Sequence, residues 1–344
     1  MKISICIPQY NRIQYLIKNL RILEKLNYPD VEVIVSDDAS TDDTEAEMTK
    51  LTSDYRFPIK YKRIPVNIGY DANLRSSLEM ASGEYCFILG NDDTLEDPEC
   101  LKPLVDFLIN NDKPEIGFCN YVEAHSPEKV ITRADKTAVV GFGEAIALKY
   151  YRSFSYVAGI IVKRSVFEKY NTSKVDGSVY VQMYLAALII SKGGRLFMYD
   201  KPLVTKDIQI GGSMANSYRD TLMRSWADYK PIDGGLKQVM YVVLEAFRDA
   251  GIEAGPITYK VMDNIYKYTY PFWLLDYRTN GSYIGAYALT QGLKPSCVSA
   301  FSSLDVWQKL KIRLRYLSSS LIGMLMPVFI FNALKRKVYK FIKK

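Results

Sequence analysis

Two apolar segments that each end in a cluster of acidic residues constrain the fold of this chain more than any other feature. Residues 31–36 lead into Asp37 and Asp38, and residues 85–89 lead into Asn91, Asp92 and Asp93. Runs of this length and composition are typical of buried strands in a parallel sheet. Open α/β sheets bind their ligands at the carboxyl ends of such strands. We therefore expect the two acidic clusters to face one ligand.

The second acidic cluster predicts a divalent cation. Asp92 and Asp93 are adjacent acids that follow a buried strand. Repulsion between their carboxylates destabilises the fold unless a cation lies there. Carboxylates also repel the phosphates of a nucleotide unless Mg²⁺ or Mn²⁺ lies between them. We interpret Asp93 as a metal ligand and place Asp92 on the metal or on the ligand that the metal holds. The alternative is a capped turn over residues 94–98.

The order of the predicted elements indicates an α/β fold. Strands are predicted at residues 3–8, 31–36, 59–63, 85–89, 116–121, 156–162 and 195–198, and helical spacing at residues 13–25, 71–81, 98–110 and 180–191. The first half reads βαβαβαβ, and short right-handed crossovers then predict a Rossmann-like, mostly parallel sheet.

The turn after the first predicted strand carries four candidate donor-binding residues, namely Pro8, Tyr10, Asn11 and Arg12. They offer an aromatic ring, an amide and a cation for a nucleoside. The chain contains neither GxGxxG nor GxxxxGK[ST], which excludes the dehydrogenase and P-loop readings. An ordinary strand-to-helix turn is the alternative.

The acids after the second strand are candidates for nucleoside binding. Asp37 and Asp38 can each accept a hydrogen bond from a base imide or a ribose hydroxyl, and we assign Asp38 to the base. Capping of the next helix, by Thr41 or Asp43, is the competing interpretation.

A third candidate segment opens the helix before the fourth strand. Gly69 permits a tight turn, and Asn67 and Asn73 flank it. A helix N-terminus favours an anionic ligand, although a plain helix start remains equally compatible with the pattern.

The net charge of +7 comes from the end of the chain. Ten Lys or Arg and no acid lie between Lys309 and Lys344, which leaves −3 for the rest. A nucleic-acid partner is not expected, because such proteins spread basic residues over a folded face. Residues 316–334 carry no charge between two cationic flanks, which predicts a helix in the plane of an anionic membrane surface rather than a span. We expect three parts: a catalytic domain at 1–215, a helical region at 216–300 and a basic, membrane-associating tail at 301–344.

The motifs PQYNR, DDASTDDT, NIGYDAN, GEY and LGNDD, in this order and spacing, resemble those of family 2 glycosyltransferases of the GT-A fold, over about residues 1–205. The variant NDD is similar to that of the branch containing abequosyltransferases and related O-antigen or capsule transferases. Asn91 stands where the family has its first DxD acid. The resemblance therefore implies that Asp93 is the remaining metal ligand.

The resemblance further implies inverting transfer of a sugar from a nucleotide diphosphate donor, with UDP as the first expectation, assisted by Mn²⁺ or Mg²⁺. Inversion requires a general base. The family's ED pair is absent at the usual distance, so Asp176 is the first candidate and Asp207, in a segment that resembles a flexible loop, is the second.

Membrane attachment narrows the expected acceptor to a lipid-linked glycan in surface polysaccharide or glycoconjugate assembly. The five cysteines lack metal-ligand spacing and are read as reduced thiols, which together with the missing signal sequence predicts the cytoplasmic face of the cell membrane. A catalytically silent sugar-nucleotide binder is the alternative, favoured by Asn91 and the absent ED pair. A nucleotidyltransferase would need a glycine-rich turn after the first strand.

Overall fold

The protein forms two compact units, Met1–Ala215 and Asn216–Lys344. The structure, a computed structural model, describes residues 1–214, 227 and 229–333. The end of the predicted catalytic domain, at residue 215, and the last part of the predicted tail, residues 334–344, lie outside the described residues.

The first unit contains strands and helices in alternation. In chain order they are β1 (Ile3–Gln9), α1 (Ile13–Leu23), β2 (Val31–Asp37), α2 (Thr44–Thr52), β3 (Ile59–Arg63), α3 (Tyr70–Glu79), β4 (Tyr85–Ile88), α4 (Leu101–Asn110), β5 (Ile116–Glu123), β6 (Ser126–Ile131), β7 (Ala138–Gly141), α5 (Glu144–Tyr150), β8 (Ile160–Lys163), α6 (Arg164–Tyr170), α7 (Val181–Ser191), β9 (Leu196–Lys206), β10 (Gln209–Ile210) and β11 (Ser213–Met214). The α/β class and the mostly parallel central sheet that the sequence predicts are confirmed.

The central sheet has the order β3-β2-β1-β4-β8-β5-β9-β7, with β6 paired to β5. Strands β3, β2, β1 and β4 are parallel, and β1 and β2 are almost wholly buried. Gln9, the last residue of β1, is in register with Asp37, the last residue of β2. This register places the turn after β1 beside the turn after β2. Leu89 donates its N–H to the carbonyl of Cys6 at 3.0 Å, which adds the end of β4 to the same edge.

The second half of the sheet contains the antiparallel pairs, and the sequence pattern predicted no strand direction there. Strand β8 runs antiparallel to both of its neighbours, β4 and β5, and the β5–β6 pair is an antiparallel hairpin. The predicted strand at residues 156–162 begins only at Ile160. Its direction depends on where the chain re-enters the sheet, which apolar composition cannot specify.

The second unit consists of helices α8 (Leu236–Asp249), α9 (Ala254–Asn264), α10 (Tyr270–Thr279), α11 (Tyr283–Gly292) and α12 (Val306–Leu325). Helix α9 continues through a π-helical turn, Ile265–Thr269, into α10. The rings of the buried Tyr266 and Tyr270 and of the partly buried Tyr316 form a cluster that links these helices to α12.

The described part of the predicted tail, residues 301–333, contains α12, which packs within the second unit. Arg278 donates to the carbonyl of Gly323 at 2.7 Å, and the hydroxyl of Tyr316 donates to the carbonyl of Thr290 at 2.9 Å. A Cβ at Gly323 would lie 2.5 Å from the side chain of Leu274, so the glycine permits this close packing. Among the residues that the structure describes, no helix combines the length and the apolar character needed to cross a membrane.

Candidate active site

A cleft of about 710 Å³ opens at the carboxyl ends of β1, β2 and β4. Nearly all of the predicted site residues line it. They are Pro8, Tyr10, Asn11, Arg12, Asp38, Asn67, Gly69, Asn73, Asn91, Asp92, Asp93 and Asp207. Asp37 and Asp176 are not part of the lining.

The turn after β1 has an unusual backbone for a sequence without glycine. Asn11 and Arg12 adopt left-handed φ angles of 53° and 61°. The side-chain carbonyl of Asn11 accepts the N–H of Thr41 at 2.9 Å, and its own N–H donates to the hydroxyl of Ser40 at 2.8 Å. These contacts stabilise a conformation that asparagine tolerates better than most residues. This turn directs the Arg12 side chain toward the acids that follow β4.

A buried amide network joins the three strand ends. The side chain of Gln9 donates to the hydroxyl of Thr44 at 3.1 Å and accepts from the amide of Asn91 at 2.8 Å. Asn73 donates to the carbonyl of Gln9 at 3.0 Å. The buried Oδ1 of Asn73 has no hydrogen-bond partner among the described residues, and Asn73 is one of the residues that line the cleft.

Asp38 organises the turn before α3. Its two carboxylate oxygens accept the N–H groups of Ile68 at 2.7 Å and Gly69 at 3.0 Å. Gly69 has a φ of 83°, a conformation that favours glycine, and Asn67 donates to the carbonyl of Asp38 at 3.3 Å. The predicted candidates Asp38, Asn67 and Gly69 therefore form one hydrogen-bonded wall of the cleft.

Asp37 serves the fold rather than the cleft, in contrast to its prediction as a donor-binding residue. Its carboxylate accepts the N–H of Ser40 at 3.0 Å and the hydroxyl of Tyr61 at 2.7 Å, and the residue is fully buried. Successive residues of an extended chain point to opposite sides. Asp38 therefore faces the cleft, while Asp37 points to the sheet face that it shares with Tyr61 of β3.

Three carboxylates meet on the far side of the cleft. Arg12 pairs with Asp92 at 3.1 Å, and Lys206 pairs with Asp207 at 2.6 Å. The N–H of Asp207 donates to Asp93 at 3.1 Å, but among the described residues no cation pairs with Asp93. A Cβ at Gly90 would lie 2.5 Å from Oδ2 of Asp93 and 3.2 Å from Oδ1 of Asp92. Glycine at this position therefore leaves room for both carboxylates.

The environment of Asp93 disfavours its negative charge. Burial raises the pKa of Asp93 to about 7, and the neighbouring Asp92 adds to this rise. Burial also raises the pKa of Asp92, and there the nearby Arg12 opposes the rise. A buried acid with an elevated pKa in a cleft is typical of a functional site.

These side chains suit a cation that is shared with a ligand. Within the described part of the chain, no group of three or more His, Cys, Asp or Glu could hold a metal by itself. Mg²⁺ is commonly held by one or two carboxylates together with substrate phosphates and water. Asp93, with Asp92 beside it, matches such a donor set, because both are hard oxygen ligands and Asp93 lacks a countercharge.

A buried arginine supports the wall of the cleft at Tyr156. The guanidinium of Arg133 donates to the carbonyls of Cys119, Tyr156 and Ala158, each at 2.8 Å, and lies over the ring of Tyr156. Burial raises the pKa of Tyr156 well above its ordinary value, and the charge of Asp93 contributes to the rise. Arg133 thus fixes the loop that places Tyr156 in the cleft.

The structure does not bring Asp176, the first base candidate, to the cleft. Its carboxylate makes a two-pronged contact with the guanidinium of Arg75, with one hydrogen bond of 3.0 Å. Asp207, the second candidate, does line the cleft. Its φ of 56° lies in the left-handed region, which few residues other than glycine adopt, although aspartate can do so when its side chain makes local hydrogen bonds.

Several cleft residues were not among the predicted site residues. They are Gln9, Tyr70, Gly90, Tyr156, Val157 and Lys206. Gln9 and Gly90 belong to the motifs PQYNR and LGNDD, from which other residues were predicted to be part of the site. Tyr156 and Val157 belong to the strand predicted at residues 156–162, but the structure places them in the loop before β8, and an apolar run does not indicate that its first residues line a cleft.

Comparison with known proteins agrees with this geometry. Residues 4–170 match the sequence profile described as Glycosyl transferase family 2. The chain belongs to glycosyl transferase family 2. This bears out the resemblance drawn from the motifs.

This family 2 glycosyltransferase is similar in sequence to two named relatives over part of its length. It is 34% identical over 226 residues to the abequosyltransferase RfbV of Salmonella typhimurium, covering 59% of this chain and 66% of RfbV. It is 34% identical over 99 residues to a GalNAc(5)-diNAcBac-PP-undecaprenol beta-1,3-glucosyltransferase of Campylobacter jejuni, covering 27% of this chain and 30% of the relative. The chain thus spans at most about two thirds of the length of either relative.

Two solved structures share the fold of this family 2 glycosyltransferase. Residues 1–349 of Staphylococcus aureus TarS in complex with UDP superpose with a TM-score of 0.60 at 16% identity, covering 92% of both chains. A mannosyltransferase from Pyrobaculum calidifontis in complex with GDP-Man and Mn²⁺ gives a TM-score of 0.52 at 15% identity, covering 94% of this chain and 87% of the other. At these identities the similarity shows the GT-A fold alone.

Proposed function

We propose that this family 2 glycosyltransferase transfers a sugar, with inversion and with the help of Mn²⁺ or Mg²⁺, from a nucleotide diphosphate to a glycan acceptor. The observation that carries the proposal is Asp93, a buried acid with a pKa of about 7 that lies beside two further carboxylates and has no cation partner among the described residues. A site of this kind gains stability when a positive charge and a phosphate ligand arrive together.

The wall formed by β1, β2 and α3 suits the nucleoside. Asn73 presents an unpartnered buried acceptor, and Asp38 adds carboxylate oxygens nearby. An acceptor-rich wall favours a base with an N–H to donate, such as the imide of uracil. This supports UDP as the first expectation, and Tyr10, which is 48% exposed, offers a ring at the mouth for stacking.

The diphosphate is assigned to the opposite wall. Asp93, with Asp92 beside it, would hold the divalent ion, which when bound neutralises the charge of the departing diphosphate. Arg12 lies next to Asp92 and orients that carboxylate toward the same region. Tyr156 and Val157 line the cleft here.

Asp207 is the better candidate for the general base. Inversion requires a base on the face opposite the leaving group, within hydrogen-bond reach of the acceptor hydroxyl. Asp207 lies in the cleft, and its backbone N–H also holds Asp93. Asp176 is fixed to Arg75 outside the cleft lining.

A lipid-linked glycan is the proposed acceptor, in surface polysaccharide or glycoconjugate assembly. The printed name of the Campylobacter relative includes an undecaprenol-linked glycan, and RfbV transfers abequose. The proposal includes a location at the cytoplasmic face of the membrane. Its support is that all five cysteines are free and four of them are buried, which suits a reducing compartment.

A donor screen tests the nucleotide part of this proposal. Thermal unfolding of the full chain would be followed with UDP, GDP, dTDP or CDP, each with Mn²⁺ and with a chelator. A ligand that binds only the folded state raises the unfolding temperature. We expect UDP with Mn²⁺ to do so, and the Asp93→Ala variant to lose the effect. An equal rise with chelator present would contradict metal-assisted binding.

A pair of variants separates the enzyme from a silent sugar-nucleotide binder. Asp207→Asn should lower transfer or slow donor hydrolysis by about 10²–10⁴-fold while the donor still binds. Asp176→Asn is the matched control, expected to lower the unfolding temperature and leave turnover per folded molecule nearly unchanged. Donor binding without any turnover in the wild-type protein, across a panel of lipid-linked acceptors, would favour the silent binder.

A further inference from the structure

Helix α12 carries a row of large apolar side chains that no other part of the described chain covers. Its members are Trp307, Leu310, Leu314, Leu317, Leu321 and Leu325, here called the α12 ridge. Exposure ranges from 45% at Leu310 to 73% at Trp307. Spacings of three and four residues place all six side chains within an arc of about 80° on the helix surface. Soluble proteins rarely leave so continuous an apolar row in water.

The opposite face of α12 is already used. Ile312 is fully buried, and Ser319 and Gly323 are also buried against the second unit. Arg315 pairs with Asp263 at 2.9 Å on the same side. The helix therefore cannot rotate to hide the ridge without breaking these contacts.

Positive charges border the ridge on both sides. Lys311 and Arg313 lie about 40° beyond its two edges, and both are exposed. Asp305 is the last acid of the chain, and the residues that follow include ten Lys or Arg. An apolar face with cations along both borders is the pattern of a helix that lies in the interface of a bilayer.

The charges also distinguish between two possible occupants. The three-four spacing would suit a coiled coil with a second copy of the chain, because Leu310, Leu314, Leu317 and Leu321 repeat like coiled-coil core positions. Such a pair would bring two acid-free, basic segments together, and like charges at that distance repel. An anionic lipid surface attracts the same charges.

We propose that the α12 ridge docks in the plane of an anionic lipid bilayer, with the side chains from Trp307 to Leu325 among the acyl chains and with Lys311 and Arg313 at the headgroups. The proposal concerns the second unit and does not rest on the proposed glycosyl transfer.

Vesicle partition of the full chain tests this surface. Binding to vesicles of phosphatidylcholine is compared with binding to vesicles that also contain phosphatidylglycerol, at low and high salt. The double variant Leu314→Ser/Leu321→Ser is expected to reduce partition by about tenfold or more. The matched control, Ile109→Ser/Val130→Ser, changes two exposed apolar residues of the first unit and should bind as the parent does.

Charge variants test the borders of the ridge separately. Lys311→Glu/Arg313→Glu should weaken binding to the phosphatidylglycerol vesicles at low salt, whereas Lys129→Glu, an exposed cation of the first unit, should leave it almost unchanged. Trp307 gives a direct signal: the fluorescence difference between the parent and Trp307→Phe should shift to shorter wavelength on vesicles.

Two results would overturn the inference. One is equal partition of the parent and the ridge variant on anionic vesicles. The other is a dimer by analytical ultracentrifugation that the ridge variant converts to a monomer with unchanged vesicle binding, since the ridge would then serve a second copy of the chain. Unchanged thermal unfolding of all variants shows that the differences do not arise from misfolding.

Discussion

Replacing Asp93 by asparagine should make the metal-free protein more stable while abolishing its metal-dependent donor binding. The side chain is 4% exposed, and burial, together with Asp92, raises the pKa of Asp93 from 3.8 to about 7. Asparagine has nearly the same shape, carries no charge, and can still accept the N–H of Asp207 through Oδ1. The variant therefore removes the charge and retains the hydrogen bond.

The size of the effect follows from the difference between the folded and unfolded pKa values of Asp93. A rise from 3.8 to about 7 corresponds to about 4 kcal/mol, at 1.36 kcal/mol per unit. Because the folded-state pKa is the higher one, stability is fully present below the unfolded value and is lost as the pH rises from about 4 to 7. Between pH 5 and pH 8 the metal-free wild type should lose about 2–3 kcal/mol that Asp93→Asn keeps.

Thiol labelling in the presence of a chelator measures this difference in the correct unit. All three tryptophans lie after residue 215 and so do not report on the first unit. Four buried cysteines, Cys6, Cys86, Cys100 and Cys119, belong to that unit, whereas Cys297 is exposed and should label without unfolding. Comparing wild type and variant at the same pH cancels the pH dependence of the thiols. A difference of 2–3 kcal/mol corresponds to a change of about 30- to 150-fold in the population of the open state.

The control and the refuting result are specific. Asp54→Asn removes an exposed acid and should show no change with pH relative to wild type. Adding Mn²⁺ with donor should stabilise the wild type and leave Asp93→Asn unaffected. If the advantage of Asp93→Asn is the same at pH 5 and pH 8, ionised Asp93 carries no energetic penalty and does not need a divalent cation to offset its charge.

Three further outcomes follow from the same structure. Mn²⁺ affinity of the donor-free protein should fall by about tenfold per pH unit below about 7, because the proton and the ion compete for Asp93, and calorimetry at several pH values measures this. Burial raises the pKa of Glu32, but hydrogen bonds from Lys2 and Ser82 outweigh burial and lower this pKa from 4.5 to about 2. The contribution of Glu32 to stability is therefore complete above the unfolded pKa and is lost as the pH falls from 4.5 to 2. Over that range the wild type should lose about 1–2 kcal/mol of unfolding free energy that Glu32→Gln keeps, a figure reduced because the lysine partners are exposed to solvent. Arg133→Met should destabilise the protein by about 2–5 kcal/mol in urea unfolding, because four carbonyl oxygens lose their donor. It should also raise the KM for donor more than it lowers kcat, whereas Arg133→Lys should recover part of both.

The parallel half of the fold was predictable because local signals and tertiary structure agree there. The runs that form β1 and β2 are apolar enough to be buried on both faces, and the acids that follow β2 and β4 mark the ends of those two strands. The antiparallel half of the sheet was harder to predict from the sequence. Strand β8 is as apolar as the parallel strands β1 and β2, and only its place in the sheet between β4 and β5 shows that it runs antiparallel to both.

The candidate site was predictable where a motif ends a strand and not where a loop enters from elsewhere. The spacing of the motifs correctly predicted that Arg12, Asp38 and Asp93 belong to the site. Tyr156 lies in the cleft because Arg133, which is distant in sequence, donates a hydrogen bond to its carbonyl. The separate roles of Asp37 and Asp38 follow from strand alternation, which requires knowing where β2 ends. A pair of adjacent acids alone does not contain that information.

The amide network at Gln9 implies that two positions cannot vary independently. The amide of Asn91 donates to the side-chain carbonyl of Gln9, whose nitrogen is engaged with Thr44 and with the carbonyl of Asn11. An aspartate at position 91 would set an acceptor against that carbonyl, and turning the Gln9 amide would set an acceptor against the carbonyl of Asn11. The departure from the family's acidic motif is therefore one half of an epistatic pair, and homologues that restore the acid should carry a different partner at position 9.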